Sequence, residues 1–60
     1  MSYGISWNLA KVISMIREEA DAEFIMDETG IKRAPLQSIV SMLNFKDNKF
    51  YYIRGLFNDN

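Results

Sequence analysis

The sequence has no cysteine and no histidine, and it has only one proline and three glycines. Disulfide bonds, which stabilise many small secreted domains, are therefore excluded, and the common ligands of a zinc site are missing. The side chain that most often acts as a general base is missing as well. We therefore expect no catalytic centre, no metal site and no cofactor, and we do not expect an enzyme.

Long hydrophobic runs are also missing from the sequence. No stretch approaches the roughly 20 apolar residues that a membrane-spanning helix needs. The N-terminus lacks the basic segment followed by an apolar one that is typical of a secretory signal. We therefore expect a cytoplasmic protein with no membrane partner.

The chain is short, but its composition can supply a core. Of its 60 residues 48% are hydrophobic, including one tryptophan, three tyrosines and four phenylalanines. A chain of this length buries only about 60% of the surface that its unfolded form exposes, so self-association is a common source of added stability. We expect a single compact domain over residues 1–60, with residues 1–5 and 58–60 flexible.

Charge is small in total but uneven along the chain. The formal net charge is −1. Two cations and six carboxylates in residues 1–31 sum to −4, whereas five cations and two carboxylates in residues 32–60 sum to +3. The six carboxylates of residues 1–31 all lie between residues 18 and 28. The favoured interpretation of this cluster is a solvated face with capping residues. The alternative is an acidic patch that binds a partner.

The first helix is predicted to begin at Ser6, whose hydroxyl can cap the first turn. Spacings of three and four residues then place one apolar stripe on a single helix face. This predicted stripe consists of Leu9, Val12, Ile13, Ile16 and Ala20.

Two further helices are predicted around a turn at Gly30. Asp21 is the expected cap of the second helix, and Gly30 can adopt the positive φ that ends it. Pro35 fits only in a first turn, which places the start of the third helix between Lys32 and Ala34. The second helix is expected to bury Ala22, Ile25 and Met26, and the third to bury Leu36, Ile39, Val40 and Leu43.

An aromatic segment follows the third helix. Asp47 and Asn48 both tolerate positive φ and lie between β-prone residues, which favours a tight hairpin. Alternation would place Phe50, Tyr52 and Arg54 on one strand face and Tyr51 and Ile53 on the other. The predicted fold class is therefore mainly α with a small β-hairpin, that is, three helices followed by a C-terminal hairpin.

This order of elements resembles the winged helix-turn-helix family of DNA-binding domains. Ile25 corresponds to the buried position of the first helix of the unit, and Gly30 and Ile31 to its turn. Leu36 and Ile39 correspond to the buried positions of the recognition helix. The resemblance covers nearly the whole chain, and the small size resembles phage- or plasmid-encoded factors.

The resemblance implies a transcriptional regulator that reads the major groove of double-stranded DNA with its third helix. Gln37 would then contact adenine, and Arg33 guanine or a phosphate. Lys46 and Lys49 would flank the tip of the wing, where they could contact phosphates. The full predicted DNA-binding set is Lys32, Arg33, Gln37, Ser38, Ser41, Lys46 and Lys49. The alternative for these residues is an ordinary solvated helix face and an edge protected by lysines.

A second function remains open, because the acidic residues weigh against DNA binding. In this alternative the same fold is a protein-interaction module that binds through the acidic second helix or the aromatic hairpin face. The predicted partner or homodimer interface consists of Phe50, Tyr51, Tyr52 and Phe57. The sequence does not decide which side of the hairpin packs on the core.

Overall fold

The computed structural model describes residues 6–57, and this part of the chain forms three helices. They are α1, Leu9–Arg17; α2, Ala22–Thr29; and α3, Arg33–Asp47. The mainly helical class is therefore confirmed. The predicted flexibility of residues 1–5 and 58–60 concerns residues outside the described part.

Helix α1 begins later than the sequence predicts. Its N-cap is Asn8, whose side-chain oxygen accepts a hydrogen bond from the Lys11 N–H at 3.0 Å. The prediction that Ser6 caps this helix is wrong, because Asn8 provides the same kind of cap two residues later. Leu9 is then the first helical residue, and 48% of it remains exposed although it was expected in the core.

The predicted turn between α2 and α3 is confirmed. Gly30 has a φ of 84°, and its N–H donates a hydrogen bond to the Met26 carbonyl at 2.8 Å. Thr29 adds a hydrogen bond from its hydroxyl to the Ile25 carbonyl. Helix α3 starts at Arg33, so Pro35 lies in the first turn as expected.

The core lies where α1 packs against both α2 and α3. The chain after α3 also contributes to the core, through Tyr51, Ile53 and Leu56. The buried hydrophobic residues are Val12, Met15, Ile16, Ala22, Ile25, Ile31, Leu36, Ile39, Val40, Leu43, Tyr51, Ile53 and Leu56.

The predicted C-terminal hairpin is wrong, because residues 6–57 contain no β-strand. Helix α3 continues to Asp47, and Asn48 adopts the left-handed conformation with a φ of 53°. The Lys49 N–H then donates to the Asn44 carbonyl at 3.1 Å, which closes the last turn of the helix. Tolerance of positive φ marks helix ends as well as hairpin turns. In this chain the positive φ of Asn48 ends α3, so Lys46 and Lys49 do not flank a wing.

The aromatic segment nevertheless keeps the predicted alternation without a strand partner. Tyr51 and Ile53 are buried, whereas Phe50, Tyr52 and Arg54 are exposed. The Tyr51 N–H donates to the side-chain oxygen of Asn44 at 2.8 Å, which replaces a sheet hydrogen bond. The core-facing side of this segment is therefore the Tyr51 side.

The described part of the chain ends after a tight turn over Ile53–Leu56. The Leu56 N–H donates to the Ile53 carbonyl at 3.1 Å, and Gly55 has a φ of 85°. Positive φ at the third position is the requirement of a type II turn, and glycine satisfies it without strain.

None of the helices in this part of the chain combines the length and apolar character needed to cross a bilayer.

Candidate interaction surface

Two of the predicted DNA-reading side chains bind the chain's own backbone. Arg33 donates from Nη1 to the carbonyl oxygens of Gly55 at 2.6 Å and Leu56 at 3.0 Å. Gln37 donates from Nε2 to the Leu56 carbonyl at 3.1 Å. Both side chains therefore hold the C-terminal turn against the start of α3.

The same turn also completes the start of α2. The Ala22 N–H donates to the Arg54 carbonyl at 2.9 Å. Asp21 forms no side-chain cap of its helix, and its Oδ2 instead accepts from Arg54 Nη2 at 2.9 Å. This carboxylate raises the pKa of Arg54. The turn thus joins the first residues of α2 and α3.

Asp47 connects α1, α3 and the aromatic segment. Its Oδ2 accepts from the Tyr51 hydroxyl at 2.7 Å and from Arg17 Nε at 3.1 Å, and its Oδ1 accepts from Arg17 Nη2 at 3.2 Å. The Tyr51 hydroxyl and then the Arg17 guanidinium lower the pKa of Asp47. In return the carboxylate raises the pKa values of Tyr51 and Arg17. Because only 5% of Tyr51 is exposed, this predicted partner residue belongs mainly to the core.

The two lysines expected beside a wing have different positions. Lys49 Nζ lies 3.7 Å from a carboxylate oxygen of Glu19 and 4.6 Å from the centre of the Tyr51 ring. Lys46 is exposed in the last turn of α3. A cation in that turn is favourable because the carbonyl end of a helix is negative. Lys49 is therefore occupied within the chain, whereas Lys46 points into solvent.

The exposed side of α3 is partly apolar. Met42 is 47% exposed and Phe45 is 89% exposed, the highest value among the large hydrophobic side chains of residues 6–57. Spacings of three and four residues place both of them beside the predicted serines and Lys46 on one helix surface. We call this surface the α3 outer face, and it consists of Ser38, Ser41, Met42, Phe45 and Lys46.

The remaining predicted partner residues lie on the exposed side of the C-terminal segment. Phe50 is 66% exposed, Tyr52 is 62% exposed and Phe57 is 48% exposed. Tyr52 and Phe57 also line one shallow depression together with Arg54 and Gly55. Three of the four predicted partner residues are thus available to a second molecule.

Helix α2 presents a different exposed surface. Phe24 is 54% exposed, and spacings of three and four residues place the exposed carboxylates of Asp27 and Glu28 beside it, with the exposed carboxylate of Glu23 one turn before Asp27. Lys11 Nζ lies 3.8 Å from Glu28. We call the exposed surface of α2 the acidic face, and it consists of Glu23, Phe24, Asp27 and Glu28. Sequence reasoning missed Phe24 and Met42, although both lie outside the buried stripe of their own helix.

Comparisons with known proteins add no relative: no family model matches the chain, and neither a curated protein nor a solved structure shows significant similarity to it.

Proposed function

We propose that this chain is a protein-interaction module whose contact surface includes the α3 outer face and the exposed aromatic rings after it. The observation that carries the proposal is the exposure of Phe45, at 89%, with Met42 one turn earlier on the same face. Single exposed apolar side chains are normal, but a group of them on one surface is typical of a binding site.

The exposed apolar area of these side chains supports a role for them in binding, because its burial would stabilise a complex. Fully burying one large apolar side chain stabilises a complex by about 1.5 to 3 kcal/mol before the costs of association are subtracted. Aromatic residues at the centre of an interface often dominate its affinity. Phe45, Phe50 and Tyr52 are each more than half exposed, so each has such area to lose.

DNA binding stays a prediction and is the second candidate. In its favour, Lys32, Ser38, Ser41 and Lys46 are exposed. They form no side-chain hydrogen bond or ion pair with another residue of the described range 6–57. Against it, the other three predicted residues are engaged within the chain.

Most cations of the described part are similarly engaged, which further favours a protein partner. Four of them lie within 4.0 Å of a carboxylate oxygen, and Arg33 binds two carbonyl groups. Neutralised cations attract phosphates less than free ones do, because affinity for duplex DNA depends on the number of phosphates neutralised. The four cations in ion pairs are Lys11, Arg17, Lys49 and Arg54.

Site-specific photocrosslinking in cells that produce the protein tests the proposal. A photoreactive phenylalanine analogue replaces Phe45, and the matched control carries it at Ser14, an exposed position on α1. We expect protein adducts from position 45 and far fewer from position 14. Adducts to nucleic acid alone, or equal protein adducts from both positions, would contradict the proposal.

A titration of duplex DNA at several salt concentrations tests the second candidate directly. A DNA reader that makes four phosphate contacts should show a slope of about −3.6 in a plot of log affinity against log salt. Absence of binding at low salt would remove the DNA prediction.

A further inference from the structure

The two exposed helix surfaces are complementary in charge, and each contains an exposed phenylalanine. The α3 outer face has one cation, Lys46, and no carboxylate, whereas the acidic face has three carboxylates and no cation. Two of these carboxylates, Glu23 and Asp27, form no ion pair within residues 6–57. Phe24 and Phe45 are the apolar members that a contact between such faces would bury.

We infer that the α3 outer face binds the acidic face of a second copy of this chain. The inference rests on the proposed function and names its partner. The apolar side chains Phe24, Met42 and Phe45 form the centre of the contact, where they lose water. Lys46 lies opposite Asp27 at the rim, where opposite charges set the pairing and like charges oppose it.

In a two-fold pair, each copy uses both of its surfaces. Each copy presents one acidic face and one α3 outer face, so a symmetric pair makes the same contact twice. Doubling a contact of modest size gives a stable association that one small helix face alone does not give. Chains of fewer than about 70 residues commonly gain stability in this way.

A charge exchange across the contact tests the inference. Asp27→Lys places a lysine opposite Lys46, and Lys46→Glu places a carboxylate opposite Asp27. In either variant alone the pair between residues 27 and 46 becomes repulsive at both contacts. We expect each change to weaken self-association about tenfold or more, because a favourable rim pair becomes an unfavourable one at two places.

Mixing the two variants supplies the decisive result. In an equimolar mixture the mixed pair has opposite charges at both contacts, so sedimentation equilibrium should again give a weight-average mass near that of the wild type. The weight-average mass of the wild type should exceed 7.0 kDa at high concentration, and it should fall towards 7.0 kDa as salt is added.

Matched controls carry the same charge changes elsewhere. Lys32→Glu lies about 21 Å along α3 from residue 46 at 1.5 Å per residue, and Glu18→Lys lies at the end of α1. Both should self-associate like the wild type, and circular dichroism should show the same helix content in all variants.

Three results would overturn the inference: a wild-type mass of 7.0 kDa at every concentration, equal effects of test and control variants, or no recovery on mixing. The photocrosslinking at position 45 tests the proposed function separately. Protein adducts from that position, together with any of these three results, would show that the chain binds a different protein and not a second copy of itself.

Discussion

Left-handed residues end all three helices, and only one of them is glycine. The positive φ values are 59° at Glu19, 84° at Gly30 and 53° at Asn48. After α1 the Glu19 N–H donates to the Ile16 carbonyl at 2.8 Å and the Ala20 N–H to the Met15 carbonyl at 3.1 Å. These bonds stabilise the helix end, although a side chain at positive φ costs roughly 1 to 2 kcal/mol.

Replacing Glu19 with glycine should therefore raise the free energy of unfolding by about 1 kcal/mol, because glycine adopts this conformation without strain. The substitution also removes the ion pair with Lys49, which is exposed and contributes little. Urea unfolding followed by circular dichroism measures the change.

Glu18→Gly is the control for this prediction. Glu18 has a φ of −88° in the right-handed helical region, where glycine brings only its larger loss of entropy. A gain in stability from Glu18→Gly, or a loss from Glu19→Gly, would contradict the assignment of strain to residue 19.

The Asp47 cluster, which consists of Arg17, Asp47 and Tyr51, makes stability depend on pH. The pKa of Asp47 is lowered by Tyr51 and Arg17, so the folded state favours its ionised form. The stability that results is present above about pH 4 and is lost as pH falls through the lowered pKa of the folded state. The pKa of Tyr51 is raised, so its contribution is present below about pH 10 and is lost as pH rises further.

We expect Asp47→Asn to reduce stability at neutral pH and to flatten the fall in the urea midpoint below about pH 4. Tyr51→Phe should flatten the fall above about pH 10. Glu18→Gln is the matched control, since that carboxylate is exposed and forms no ion pair in residues 6–57. Identical acid profiles for Asp47→Asn and the wild type would refute the account of this cluster.

The C-terminal turn joins the starts of α2 and α3 through Arg33, so Arg33→Ala should loosen it. The Ala22 N–H donates its hydrogen bond to the Arg54 carbonyl in that turn. We therefore expect hydrogen exchange of the Ala22 amide to become about tenfold faster when the Arg33 side chain is removed. Lys32→Ala should leave this exchange rate unchanged. If Arg33→Ala left it unchanged as well, the side chain would not be holding the turn.

At the scale of the whole molecule, the sequence predicted those features that depend on one residue and its near neighbours. Gly30 and Pro35 located the turn and the start of α3, because positive φ and the proline ring restrict the backbone locally. The apolar spacing of α3 likewise predicted its buried side. Asn48 was ambiguous, because the same local property serves both a hairpin and a helix end.

The rest depends on contacts between distant parts of the chain. Arg33 lies 22 residues from Gly55, and Arg17 lies 30 residues from Asp47. Helical periodicity can place Arg33 and Gln37 off the buried stripe, but it cannot show that a later turn folds over them. The apolar part of the α3 outer face could have been noticed, because Met42 and Phe45 fall outside the stripe that ends at Leu43.

Helix α3 buries one side in the core and leaves an apolar side exposed to solvent. Substitutions at Leu43 and Phe45 distinguish the two sides, since these residues are 1% and 89% exposed on the same helix. Denaturant unfolding of Phe45→Ser and Leu43→Ala should be compared at concentrations where the chain is monomeric. We expect a change within about 0.5 kcal/mol for Phe45→Ser and a loss of about 2 to 5 kcal/mol for Leu43→Ala. A loss of about 2 kcal/mol or more from Phe45→Ser would contradict this expectation, because that ring would then be part of the core.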